Sequence, residues 1–121
     1  MSLDLTISEP SNFRTNDKGQ TIYTVTILHT FGNEGYTILD NLGFYGVKNG
    51  QSMSVDALDL LNCLDLMKEQ LEDINKTGAD PLDSKAELEI SVKELEHFIK
   101  ENEIYDVEGY GEKDFKLEAW Y

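Results

Sequence analysis

Two histidines, His29 and His97, one cysteine, Cys63, and 24 acidic residues are the side chains from which this sequence could build chemistry. Nucleophilic catalysis needs a nucleophile, a base and an orienting group close together. Cys63 falls at the edge of an apolar helical stripe, where a free cysteine packs. His29 alternates with Tyr23, Val25, Ile27 and Phe31 in a strand-like run, so a core or rim position with its hydrogen bonds satisfied is expected. His97 is expected to be exposed. The glycines of "GFYGVKNG" lack the spacing of a phosphate or dinucleotide loop. With so many carboxylates some pairs are inevitable, and none can be singled out for acid–base work. No catalytic residue and no cofactor is assigned, and the chain is expected not to be an enzyme.

One stretch has part of a metal-binding pattern. "DINKTGADPLDS", residues 73–84, opens like a calcium loop, with Asp73, Asn75, Thr77 and then Gly78. The twelfth position, which should carry a bidentate glutamate, is Ser84, and Pro81 stands ninth. Turn residues between two helices account for the same letters. No metal site is expected there.

Spacing of a different kind marks residues 84–103, "SKAELEISVKELEHFIKENE". Glu87, Glu94 and Glu101 step by seven, as do Glu89, Glu96 and Glu103. With Leu88 set at zero and about 100° per residue, Val92, Leu95 and Ile99 lie within about 40° of it. Glu89 and Glu96 are each followed four residues later by a lysine, Lys93 and Lys100, the favourable order. Four residues after Glu87, Glu94 and Glu101 stand Ser91, Phe98 and Tyr105, none of them basic. Ile90, His97 and Ile104 also step by seven and fall opposite the main stripe. Unpaired acids beside apolar residues have the composition of an interface. Glu87, Glu94, Glu101, Ile90 and His97 are therefore the candidate partner-binding residues. Asp59, Glu69 and Asp73 on the preceding helix would widen that surface if they face the same way.

The charge suggests what such a surface would bind. Asp and Glu number 24 against ten Lys and Arg, a net charge of −14. Residues 54–108 hold sixteen acids and five lysines, net −11, so the excess is concentrated in one segment. Nucleic acid and anionic membranes repel such a chain. A basic protein surface attracts it, and long-range fields speed the encounter. The expected activity is inhibition or occlusion of a basic, nucleic-acid-handling protein such as a nuclease. No motif carries a family resemblance. In composition alone the chain is of a kind with toxin immunity proteins, DNA mimics and phage inhibitors of host defence, anti-CRISPR proteins among them. The alternative is a structural protein forming a small homo-oligomer through its helical layer.

The elements that must position these residues follow from periodicity. "LDLTI" alternates, with Leu3, Leu5 and Ile7 on one face. "NDKG" at 16–19 signals a hairpin turn. "TIYTVTILHTF" is expected to form one long strand, and "YTILD" another after the turn "GNEG". "NLGFYGVKNG" is expected to be a loop or a short edge strand. A helix is expected over 54–76, capped by Ser54, with Ala57, Leu61, Leu64, Met67, Leu71 and Ile74 inward. A second is expected over 85–103, opened by a Ser84/Glu87 capping box. "EGYGEKD" should turn the chain into a closing strand, "FKLEAWY". These elements predict a single α+β domain: a small antiparallel sheet of N-terminal strands plus a C-terminal strand, packed on one face by an antiparallel two-helix hairpin. A lone cysteine, no signal-like N-terminus and no long apolar run lead to the expectation of a cytoplasmic protein.

Overall fold

The computed structural model describes residues 2–9, 12–80, 83–104 and 114–121. The chain runs through β1 (Asp4–Ser8), β2 (Asn12–Thr15), β3 (Thr21–Thr24), β4 (Ile27–Phe31), α1 (Gly35–Leu42), β5 (Ser52–Asp56), α2 (Ala57–Thr77), α3 (Lys85–Glu101) and β6 (Asp114–Trp120). It is an α+β fold. The main sheet is antiparallel, in the order β4-β1-β6-β5. The last strand thus enters between the first strand and β5, pairing Leu5 with Ala119 and Val55 with Phe115. The turn expected over "EGYGEKD", residues 108–114, lies outside the described residues except for Asp114.

Alternation sets which face is core. Leu3, Leu5 and Ile7 are buried, and so are Met53 and Val55 on β5 and Phe115, Leu117 and Ala119 on β6. Period-two side chains from three adjacent strands therefore form one apolar floor. The helices α2 and α3 pack on each other, and α1 packs on both. Their buried residues, among them Leu60, Cys63, Leu64 and Met67 on α2 and Leu88, Leu95 and Phe98 on α3, join that floor in one core.

Three local expectations are corrected. "TIYTVTILHTF" is two strands in two sheets: β3 pairs with β2 across the "NDKG" turn, and β4 pairs with β1. The face running from Val25 to Phe31 is split accordingly, with Val25 and Ile27 exposed and Phe31 buried. A run of β-formers does not state its partner, and the hairpin claims one half while β1 claims the other. "YTILD" belongs to helix α1, not to a strand. Ile38 and Leu39 are buried and Leu42 is packed against the core, a three- and four-residue spacing suited to a helix. Gly43 stops it in the left-handed region at φ 87°, with the Phe44 N–H returning to the Leu39 carbonyl. The first long helix begins at Ala57, not at 54. Ser54 lies in β5, and Asp56 is the cap. Its carboxylate accepts from the Asp59 N–H at 2.7 Å, and the Asp59 carboxylate accepts from the Asp56 N–H at 3.0 Å. This is a capping box made of two aspartates.

The cap of α3 also differs. Ser84 stands at the N-cap but makes no side-chain cap bond, and the Ser84/Glu87 box does not form. Asp80 does the work from four residues upstream: its carboxylate accepts from the N–H groups of Ser84 and Lys85, both at 2.9 Å. Those two bonds, Ser84 first, hold the Asp80 carboxyl below the usual carboxylate range. A carboxyl whose folded-state pKa lies below its unfolded one contributes stability above the ordinary range and loses it as pH falls through the folded value. Asp80→Ala should therefore lower the thermal midpoint at neutral pH, and the gap from the parent should close in acid. Ser84→Ala should cost less, because its backbone N–H remains. Melts of the three proteins from neutral to acid pH read this directly, and a gap that widens in acid would contradict it.

Candidate partner-binding surface

The two glutamate rows of α3 are positioned by how the helix is rolled on the core. Besides Leu88, Leu95 and Ile99, the structure buries Ser91 and Phe98 and leaves Val92 half-buried. The buried arc is thus turned by roughly 30° toward the 87/94/101 row. Ser91 tolerates burial because its hydroxyl donates to the Glu87 carbonyl at 2.7 Å and lies 3.3 Å from that of Glu34. Phe98 enters an aromatic cluster with Phe31, Phe115 and His29.

The roll breaks the equivalence expected within the 87/94/101 row. Glu87 is exposed. Glu94 is drawn to the core rim, where its Oε2 stands 3.9 Å from His29 Nε2. That nitrogen is shielded from solvent and has no hydrogen-bond partner among the described residues. His29 also packs edge-on against Phe31, so it lies at the rim, but it is not the satisfied histidine expected, because its Nε2 lacks a hydrogen-bond partner among the described residues. Glu101 is exposed but not unpaired: His97 Nε2, four residues earlier, is 3.1 Å away. A base preceding the acid escapes a search for bases that follow it.

The other row is not uniform either. Glu96 accepts from Lys100 at 3.3 Å and from Lys68 of α2 at 2.8 Å, which stitches the two helices together. Lys68 first and Lys100 second hold its carboxyl below the usual range. Glu89 and Lys93 come within 4 Å of no opposite charge among the described residues. The contrast between a neutralised row and a bare one is therefore replaced by a single doubly paired residue, Glu96.

The apolar part of the expected surface is also smaller. Ile90 is 51% exposed and His97 is exposed, as expected. Ile104 is 1% exposed and belongs to the core. The helix ends at Glu101, and Glu103, in the left-handed region at φ 51°, turns the chain inward, with the Ile104 N–H on the Ile99 carbonyl. A self-associating stripe of Ile90, His97 and Ile104 thus lacks its third member.

On α2, Asp59, Glu69 and Asp73 are all exposed and lie within about 80° of one another, away from the core. Asp59 is committed to the capping box, and Lys76 follows Asp73 by three residues. The sequence reading missed Leu58 and Leu66, which are 43% and 45% exposed. They lie on the same outward side. Their signal was legible, being leucines off the buried stripe at the outer side of an acidic helix.

Burial pushes the Cys63 thiol up to about 12, and its Sγ lies 3.6 Å from the Ile38 carbonyl, so it is not a thiolate at neutral pH. Residues 73–78 are not arranged as the first half of a calcium loop. Helix α2 continues through Thr77, which spreads Asp73, Asn75 and Thr77 around its axis, and Asp80 is spent on the α3 cap. Among the described residues no group of three His, Cys, Asp or Glu could hold a metal ion. None of the described helices is long and apolar enough to cross a membrane. Comparison with protein-family models, with curated proteins and with solved structures finds no match to this chain.

Proposed function

We propose that this protein binds and occludes a basic surface on a protein that handles nucleic acid, using the outward side of its helical layer. The observation that carries the reading is the fate of the helical lysines. Two of the five in residues 54–108, Lys68 and Lys100, converge on one carboxylate, Glu96. Lys76, Lys85 and Lys93 are left to offset the remaining acids of that segment. Exposed Asp65, Glu69, Glu72, Asp73, Glu87 and Glu89 thus present negative charge to solvent. Such a field acts over a Debye length of about 8 Å at physiological salt and raises association rates more than it adds affinity.

The test uses a basic partner isolated from the native host. The protein and duplex DNA should compete for that partner, and association should slow steeply as salt rises. Reversing Glu87 and Glu101 to lysine should slow association at low salt while leaving the helical circular dichroism unchanged, since both positions are exposed and lysine is a good helix former. Glu94 and Glu96 are unsuitable for this purpose, because one packs at the His29 rim and the other ties α2 to α3. A partner that holds the protein and DNA together, or binds with no salt dependence, would refute occlusion.

A further inference from the structure

We infer that the outward face of α2 is a docking site for a cationic amphipathic helix, an inference that rests on the basic-partner reading and names the face and the kind of segment it takes. The face is defined by register. At about 100° per residue, Leu58, Asn62, Leu66, Glu69 and Asp73 fall within about 80° of one another, directly opposite the buried Leu60, Leu64 and Met67. All five are exposed. Asp65 flanks them on one side.

The two leucines are what a purely solubilising face would lack. They stand eight residues apart, about 12 Å along the helix, and each keeps nearly half of its surface in water. Apolar residues at that spacing meet the apolar stripe of a second helix. The charge around them selects the partner. Between Leu58 and Asp73 no base lies on this face, since Lys68 is turned away to Glu96 at 2.8 Å, and the exposed Lys76 stands at its far end beyond Asp73. A second copy of this chain would set acid against acid, and an anionic lipid surface or a nucleic acid would be repelled in the same way. A helix with leucine-like residues along one stripe and lysine or arginine beside it matches both features. Its cations would meet Asp65, Glu69 and Asp73, and its apolar stripe would cover Leu58 and Leu66.

The probe is a synthetic leucine–lysine amphipathic helix titrated into the isotope-labelled protein, with amide shifts followed by NMR. The expected result is saturable binding whose largest shifts lie between Leu58 and Asp73. Leu58→Ser with Leu66→Ser should weaken it about tenfold, and Glu69→Lys with Asp73→Lys at least as much. Glu87→Lys with Glu101→Lys on α3 should change it little. Circular dichroism checks that each variant keeps its helices, and all six positions are exposed. Salt-sensitive binding that ignores the two leucines, or whose shifts map to α3, overturns the α2 face while leaving the basic-partner reading standing. No binding even at low salt overturns both.

Discussion

Phe98→Ala should bring the protein to the edge of unfolding. Phe98 is 1% exposed, and its ring lies 6.0 Å from that of Phe31 on β4 and 6.2 Å from that of Phe115 on β6, edge-to-face in both cases. It is therefore a side chain through which α3 holds both an outer and an inner strand of the sheet. Truncating a buried phenylalanine costs about 3–5 kcal/mol, from lost transfer energy and the cavity left behind. Edge-to-face pairs add about 0.5–1.5 kcal/mol each. Against a total of about 5–15 kcal/mol for a domain of ordinary stability, that is a large share. Urea titration should show a much lower midpoint, and the variant should lose thermal cooperativity first in the α3–sheet contact. Ile90→Ala on the outward side of the same helix provides the contrast, with a shift close to zero. A Phe98→Ala cost below about 1 kcal/mol would mean that α3 does not anchor through this cluster.

Gly35→Val should also be strongly destabilising, for a reason of space. A Cβ placed on Gly35 would stand 2.9 Å from the Leu5 Cβ and 3.1 Å from the Leu3 Cδ2. Both leucines are buried, Leu5 on β1 and Leu3 just before it, so neither can swing into solvent. The first turn of α1 must then lift from β1, and overpacking of this kind costs about 1–3 kcal/mol or more. Gly35→Ala should show a smaller loss in the same direction. Gly43 makes the distinction plain: nothing lies within 4 Å of its would-be Cβ, and its requirement is its φ of 87°. Thermal melts of Gly35→Ala and Gly35→Val should rank by side-chain size, and equal midpoints would exclude the steric account.

The sequence by itself determined the elements whose periodicity is strong. β1, α2, α3 and β6 were legible because alternation, or a three- and four-residue stripe, depends only on which side must leave water. The α+β class and the helical hairpin follow from them. Within residues 21–42 local preference does not choose a partner: "TIYTVTILHTF" is strand as its letters predict but divides between two sheets, and "YTILD" becomes helical because α1 must cover β1 at Gly35 and pack against α2 and α3. The capping bonds depend on the fold in the same way. Ser54 and Ser84 are good cap residues, but Asp56 and Asp80 reach the open N–H groups, and only the folded chain decides which carboxylate arrives.

The charge excess and its concentration on residues 54–108 were equally plain in the letters. What tertiary structure alone decided is which acids remain free. The roll of α3, set by burying Phe98 and Ser91, carries Glu94 to the His29 rim. The α2–α3 packing brings Lys68 to Glu96, and the turn after Glu101 sends Ile104 into the core. Each depends on neighbours distant in sequence, and a heptad count contains no term for them. Charge is additive along a chain, but pairing and burial depend on where two segments meet, so composition could set the sign of this surface and only the fold could choose its residues.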